Sequence, residues 1–155
     1  MAAKDKVYVE DLGLKKVVER IRDMDGWGVS VGVHEDDSHR GDGIDNANLY
    51  AIHEFGAGHV PERASLRIAF GAGLEENFQM LARGAFMIMA GVASPRSVVA
   101  LVGEKSTADT VEAIRAGIPP PLAASTVARK GSSTPLIDTG QLVQAIKPKT
   151  GRHIK

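Results

Sequence analysis

In the stretch Trp27-Gly28-Val29-Ser30-Val31-Gly32-Val33, an apolar side chain returns at every second position. β-Branched residues at period two predict a strand with one apolar face. Gly28, Ser30 and Gly32 leave the opposite face nearly bare, so a neighbouring element or another copy of the chain can approach it closely. Just upstream the period changes. Leu14, Val17, Val18 and Ile21 fall at i, i+3, i+4 and i+7, with Lys15, Lys16, Glu19, Arg20 and Arg22 between them. That pattern predicts an amphipathic helix with Asp11 as its N-cap and a stop before Gly26. Val7 and Val9, set between polar neighbours, predict a further short strand.

Downstream, residues 35–48 read as a loop, with Glu35, Asp36, Asp37, Asp42 and Asp45 around Gly41 and Gly43. Residues 51–55 form a short ordered piece closed by Gly56 and Gly58. The run Leu66 to Phe70 fits either a strand or the entry to a helix. A long helical region follows, with Leu74, Phe78, Leu81, Ala85 and Ile88 on one face; Met80, Met87 and Met89 broaden that face as adaptable core filler. Pro95 opens a second helical stretch through Val98, Leu101 and Val102, with a bend expected at Gly103. It continues through Thr110, Val111 and Ile114 to a stop at Gly117.

Pro119, Pro120 and Pro121 make a stiff extended link. Pro121 suits the first position of a helix running through Thr126 to Lys130, with Gly131 just past its end. Asp138 and Gln141 have the spacing of a capping box, and Ile137 and Leu142 that of a hydrophobic staple, so a short helix is expected from Thr139 to about Ile146. Residues 147–155 read as a basic tail, ordered only where a partner holds it. The expectation is one α+β domain over residues 1–146, a small antiparallel sheet packed against two or three helices, followed by that tail.

The composition narrows the function classes. A chain of 155 residues fits one domain, and 43% hydrophobic with 25% charged residues is a globular balance. Nineteen basic and nineteen acidic side chains cancel, so overall charge points to neither nucleic acid nor membrane. The balance is uneven along the chain: residues 1–103 carry 11 basic and 15 acidic groups, residues 104–155 eight and four. Two regions of opposite sign suit head-to-tail contact between copies. With no cysteine, disulfides, thiolate zinc sites and cysteine nucleophiles are excluded together. The N-terminus, with Lys4, Asp5 and Lys6 and no apolar run behind them, does not read as a signal peptide, and the longest apolar stretch is about half the ~20 residues that cross a bilayer.

Catalytic signatures are weak. His53, Glu54 and His59 echo a zinc-hydrolase motif, but two histidines six residues apart point about 240° apart on a helix, where the motif needs them one turn apart. Glu54 is expected instead to pair with a nearby arginine or a backbone donor. No frame of the acidic loop meets the Ca²⁺-loop template, and neither Gly41-Asp42-Gly43 nor Gly71-Ala72-Gly73 extends to a phosphate-binding loop. Ser125, Ser132 and Ser133 sit in no nucleophile elbow. Lys147, Lys149, Arg152, His153 and Lys155 can meet phosphates, but no aromatic residue lies among them to stack a base. A metal-dependent hydrolase using His53, Glu54 and His59, and a DNA-binding module acting through the basic tail, are the two alternatives to a structural role. Neither a cofactor nor a metal is expected.

The C-terminal motifs carry a resemblance. Pro120-Pro121-Leu122, then Ser125-Thr126 and Lys130, then Pro135-Leu136-Ile137-Asp138-Thr139-Gly140 with Leu142 and Ile146, resemble the neck and tail-completion proteins of tailed bacteriophages, also described as virion-morphogenesis proteins. Upstream, Val31-Gly32-Val33, Ala51-Ile52-His53-Glu54-Phe55-Gly56, and Pro61 with Arg63 and Leu66 look like the same family in the same order. That family tends to carry a proline and an aromatic directly after the arginine, where this chain has Ala64 and Ser65. The resemblance implies a non-enzymatic component of the virion neck, assembled in the host bacterial cytoplasm. Six or twelve copies would form a ring around the DNA channel between the portal connector and the tail, without reading DNA sequence. A ring needs two unlike patches that meet. The segment from Arg129 to Asp138 is expected either to contact a neighbouring subunit or the connector, through Arg129, Lys130, Pro135, Leu136, Asp138 and Thr139, or to close its own domain.

Overall fold

The strand expected at 27–33 forms as β1 (Trp27–Val33), and its partner comes from the far end of the chain. The computed structural model describes residues 11–35, 43–131, 133–137 and 140–154. Within it, β2 (Ile146–Arg152) runs antiparallel to β1, with Trp27 opposite Arg152 and Val33 opposite Ile146. This corrects the reading of 147–155 as a tail awaiting an outside partner. The strand signal was masked by charge: Ile146, Pro148 and Thr150 alternate with exposed Lys147 and Lys149. Proline is tolerated on an edge strand, and proline with lysines also discourages further pairing there.

The helices form largely where their caps permit. α1 (Leu14–Asp23) has Gly13, not Asp11, at its N-cap; Asp11 stands two residues before it, and its Oδ1 accepts from the amides of Gly13 at 3.0 Å and Lys15 at 3.3 Å. α2 (Asn46–Phe55) begins earlier than the ordered piece expected, because the Asp45 carboxylate caps it by accepting from the Asn48 amide at 2.7 Å. The acidic loop therefore ends at Asp45; its residues 36–42, like the strand expected around Val7 and Val9, lie outside the described residues. α3 (Ser65–Ala90) makes the run Leu66 to Phe70 helical. α4 (Pro95–Ala116) starts on a reciprocal Ser94–Ser97 capping box, continues as one helix through Gly103 and stops at Gly117. α5 (Ala124–Lys130) ends at Gly131 as expected, but begins three residues after Pro121. α6 (Gln141–Gln144) is shorter than expected at both ends: Gly140, not Asp138, is its N-cap, with no side-chain cap bond, and Ile146 already belongs to β2; Asp138 and Thr139 themselves lie outside the described residues.

Two glycines set the layering, with α4 at the centre. A Cβ at Gly84 of α3 would overlap the Val98 side chain of α4. A Cβ at Gly103 of α4 would lie 2.5 Å from Val29 Cγ2 and 2.9 Å from Pro148 Cβ, so α4 fits beneath the sheet only because that atom is missing. The result is α+β: a two-stranded antiparallel sheet packed against α3 and α4 in a single compact body. Between the two helices, Asn77 Nδ2 donates to Ser106 Oγ at 3.1 Å. Lys105 Nζ bridges Asp109 Oδ2 at 2.6 Å and Glu76 Oε2 at 3.0 Å, and these partners, Asp109 first, hold its pKa above the ordinary lysine value. At one end of the layers, Tyr50, Ile114, Ile118, Leu136, Leu142 and Ile146 close a core, with Val31, Val33 and Leu66 packed against it.

One expectation about α3 is overturned. Ile88 of the predicted core face is buried, but Leu74, Phe78 and Leu81 are exposed, and so is Met87. The helix buries Ser65, Ala69, Asn77, Gly84 and Ile88 instead. Small residues let two helix axes come closer than bulky ones do, so α3 is rotated to place its small side against α4.

Candidate functional site

A densely bonded polar group lies where α2 meets α3. Tyr50 and Glu54, at i and i+4, share one face of α2, and both are buried. α2 ends at Gly56, which has a φ of 73°. The chain then turns back so that the Arg63 amide donates to the His53 carbonyl at 2.7 Å. This places the Glu54 carboxylate at the start of α3. The first amides of a helix have no partner of their own, and Ala64, at the N-cap, has no side chain to supply one. Glu54 supplies it from a different helix: Oε2 accepts from the Leu66 amide and Oε1 from the Arg67 amide, each at 3.1 Å. Negative charge at a helix N-terminus is further favoured by the helix dipole.

The side chains around it complete the group. Tyr50 and Ser65 hydroxyls are 2.6 Å apart, and Ser65 Oγ donates onward to Glu54 Oε2 at 3.4 Å. Burial, more than any other factor, pushes the Tyr50 hydroxyl well above the ordinary tyrosine pKa; the Ser65 bond opposes this and the Glu54 charge adds to it. Arg67 Nε lies 3.4 Å from Glu54 Oε1, while Nη2 donates to the Glu54 carbonyl at 2.6 Å and to Glu62 Oε1 at 2.8 Å. The same guanidinium stacks over Phe55, 5.3 Å from the ring centre. Arg63 is buried beside this group, and loss of solvent lowers its pKa. Its Nε donates to the Pro120 carbonyl at 3.0 Å and Nη2 reaches the Pro121 carbonyl at 3.5 Å, which ties the proline link to the start of α3.

Several expected residues meet here. His53, Glu54 and Gly56, then Arg63 and Leu66, then Pro120 and Pro121 come from three separate segments and converge at this junction. Glu54 has both partners expected of it, an arginine and backbone donors. Ser65 is fully buried, and its hydroxyl lies between the Tyr50 hydroxyl and the Glu54 carboxylate. Tyr50 and Arg67 carry no sequence motif of their own, and Ser65 stands out in the sequence only as a departure from the resemblance. The available signals were the i, i+4 spacing of Tyr50 and Glu54 and a long helix that starts with no capping residue.

The zinc-like trio is not assembled as a metal centre. Both Glu54 oxygens face the α3 terminus, and His59 is exposed on the turn closed by the Ala57–Val60 bridge. Among the described residues, no group of three or more histidine, aspartate and glutamate side chains is placed to hold a metal ion. The expected subunit-contact segment divides. Arg129 is exposed at the end of α5, whereas Pro135 and Leu136 are buried and Leu136 belongs to the chain's own core. Asp138 and Thr139 lie outside the described residues, as does the side chain of Lys130.

Large apolar groups are exposed elsewhere. Phe70, Leu74 and Phe78 form an exposed apolar stripe along α3, while Leu81, partly exposed, lines a cleft with Trp27, Ile88 and Val98. The stripe begins at an open apolar groove of about 410 Å³ lined by Val29, Val31, Leu66, Phe70 and Val102. α1 is attached by Arg20, whose Nη1 donates to the Met89 carbonyl at 2.8 Å, while Leu14, Val18 and Ile21 face outward. No described helix is long and apolar enough to cross a membrane. Compared with known protein families, curated proteins and solved structures, the chain matches none.

Proposed function

We propose that this chain is a structural component of the head–tail junction of a tailed bacteriophage, acting as one copy in a ring around the DNA channel. The observation that carries the reading is the convergence of the resembling segments. Residues quoted for that likeness from positions 53–56, 61–66 and 120–121 join at the Glu54–Arg63 junction, and Leu136, Ile137, Leu142 and Ile146 enter the core beside it. Motifs that share an order only by accident have no reason to form one contiguous unit. The outward apolar faces on α1 and α3 add support, because large exposed apolar patches mark contact surfaces.

In this role the junction does no chemistry. Its work is to fix the angle between α2, α3 and the proline link, so that copies present matched surfaces to one another, to the connector and to the tail. Contact with DNA is electrostatic and indifferent to sequence, consistent with exposed Lys147 and Lys149 that have no aromatic residue between them. The test is cryo-electron microscopy of purified virions that encode this chain, with antibody labelling. A six- or twelve-fold ring at the neck is the expected result. Intact, tailed particles that lack the chain overturn the proposal.

A further inference from the structure

α1 is an amphipathic helix attached by the wrong side. An isolated helix of ten residues is marginal in water and is normally stabilised by burying its apolar face. Here no residue of α1 is buried, the Arg20 side is turned to the body, and Leu14 and Ile21 remain 71% and 48% exposed. α3 carries a second face of the same kind, with Phe70 55% and Phe78 67% exposed. A phenylalanine presents ~150–250 Å². At these exposures Phe70, Leu74 and Phe78 leave on the order of 300–400 Å² of apolar surface, the size of the largest patch on a typical monomer, which is often a functional one. A contact that sets one such face against another takes roughly 400 Å² or less from each partner, below a standard interface, so its strength depends on repetition around a closed assembly.

We infer that the two faces cover each other between copies: the Leu14–Val18–Ile21 face of α1 from one chain lies on the Phe70–Leu74–Phe78 stripe of α3 in the next. The lengths agree, since at ~1.5 Å per residue Leu14 to Ile21 rises about 10 Å and Phe70 to Phe78 about 12 Å. The rims are complementary in charge. Exposed Lys15 and Arg22 border the α1 face, and exposed Glu75 borders Leu74 and Phe78. Because the patches differ, each pair of copies keeps one α1 face and one α3 stripe free, and repetition closes a ring or extends a filament. The inference names the contact for the ring proposed above, but does not depend on where in a virion that ring sits.

The test is light scattering after size exclusion on the full chain, with circular dichroism to check folding. The wild-type chain is expected to form assemblies larger than dimers. Leu14→Glu and Phe78→Glu are each expected to run as folded monomers; Leu74→Gln replaces Phe78→Glu if the latter loses its helical signal. Mixed in equal amounts, the two variants are expected to double in mass to a heterodimer and grow no further, because one keeps its α3 stripe and the other its α1 face. A monomeric wild type overturns the inference. So does a Leu14→Glu chain that still assembles, which would mean that α3 pairs with α3 or that other residues cover α1. A mixture that stays monomeric overturns it as well. Virion imaging is unaffected by any of these outcomes, so the neck location and the contact fail separately.

Discussion

Replacing Glu54 by glutamine tests whether a carboxylate borrowed from α2 holds the start of α3. Glu54 is 4% exposed, and both of its oxygens accept from α3 amides at 3.1 Å. Glutamine keeps the shape but offers one acceptor oxygen, so its NH₂ must face either the Leu66 or the Arg67 donors. Charge-assisted bonds contribute about 1.5–3 kcal/mol, and a buried donor left without an acceptor costs ~1–3 kcal/mol. Because these overlap, the expected net loss is about 3 kcal/mol. For a chain of this length that lowers Tm by roughly 6–12 °C. Urea unfolding followed by the fluorescence of Trp27, the chain's one tryptophan, measures it directly. Glu62→Gln is the control, since its pairing with Arg67 is half-exposed on both sides and is worth ~0–1 kcal/mol. A Glu54→Gln chain within about 0.5 kcal/mol of wild type, the usual range for an inert surface change, refutes the account of α3 capping.

Gly103→Val forces a side chain between α4 and the sheet, and should lower stability by about 2 kcal/mol in the same urea assay, overpacking outweighing the small helix-propensity gain; an unchanged midpoint would mean that the layers separate freely. Arg63→Met removes the donors to the Pro120 and Pro121 carbonyls and should speed hydrogen exchange at Ile118 and Leu122 while lowering stability by about 2 kcal/mol. Tyr50 has a folded pKa raised by burial, so its contribution is fully present below the unfolded value near ~10 and is lost as pH rises through the folded value. Tyr50→Phe should therefore lose less stability than wild type between pH 9 and 11, on the order of 1 kcal/mol less; parallel pH profiles would show that the Tyr50 hydroxyl is not protected.

The rotation of α3 has a consequence for assembly. If its bulky stripe faced α4, the helices would be held farther apart and the sheet would lose its seat on Gly103. With Gly84 and Ala69 inside, Phe70 and Phe78 remain on the surface, where the contact proposed between chains draws on them.

What the sequence determined by itself is local. β1 is legible from its period of two, α1 from i, i+3, i+4 spacing behind Asp11, and the ends of α4 and α5 from Pro95, Gly117 and Gly131. Each depends on neighbours within one or two helical turns, where period and capping act. Only the tertiary structure decided that Ile146–Arg152 pairs with Trp27–Val33, that α3 turns its small side inward, and that Glu54 caps a helix it does not belong to. Those outcomes depend on contacts between distant segments, whose strength is set by shape and by the partners left to satisfy, and neither quantity is written in the periodicity of a single stretch.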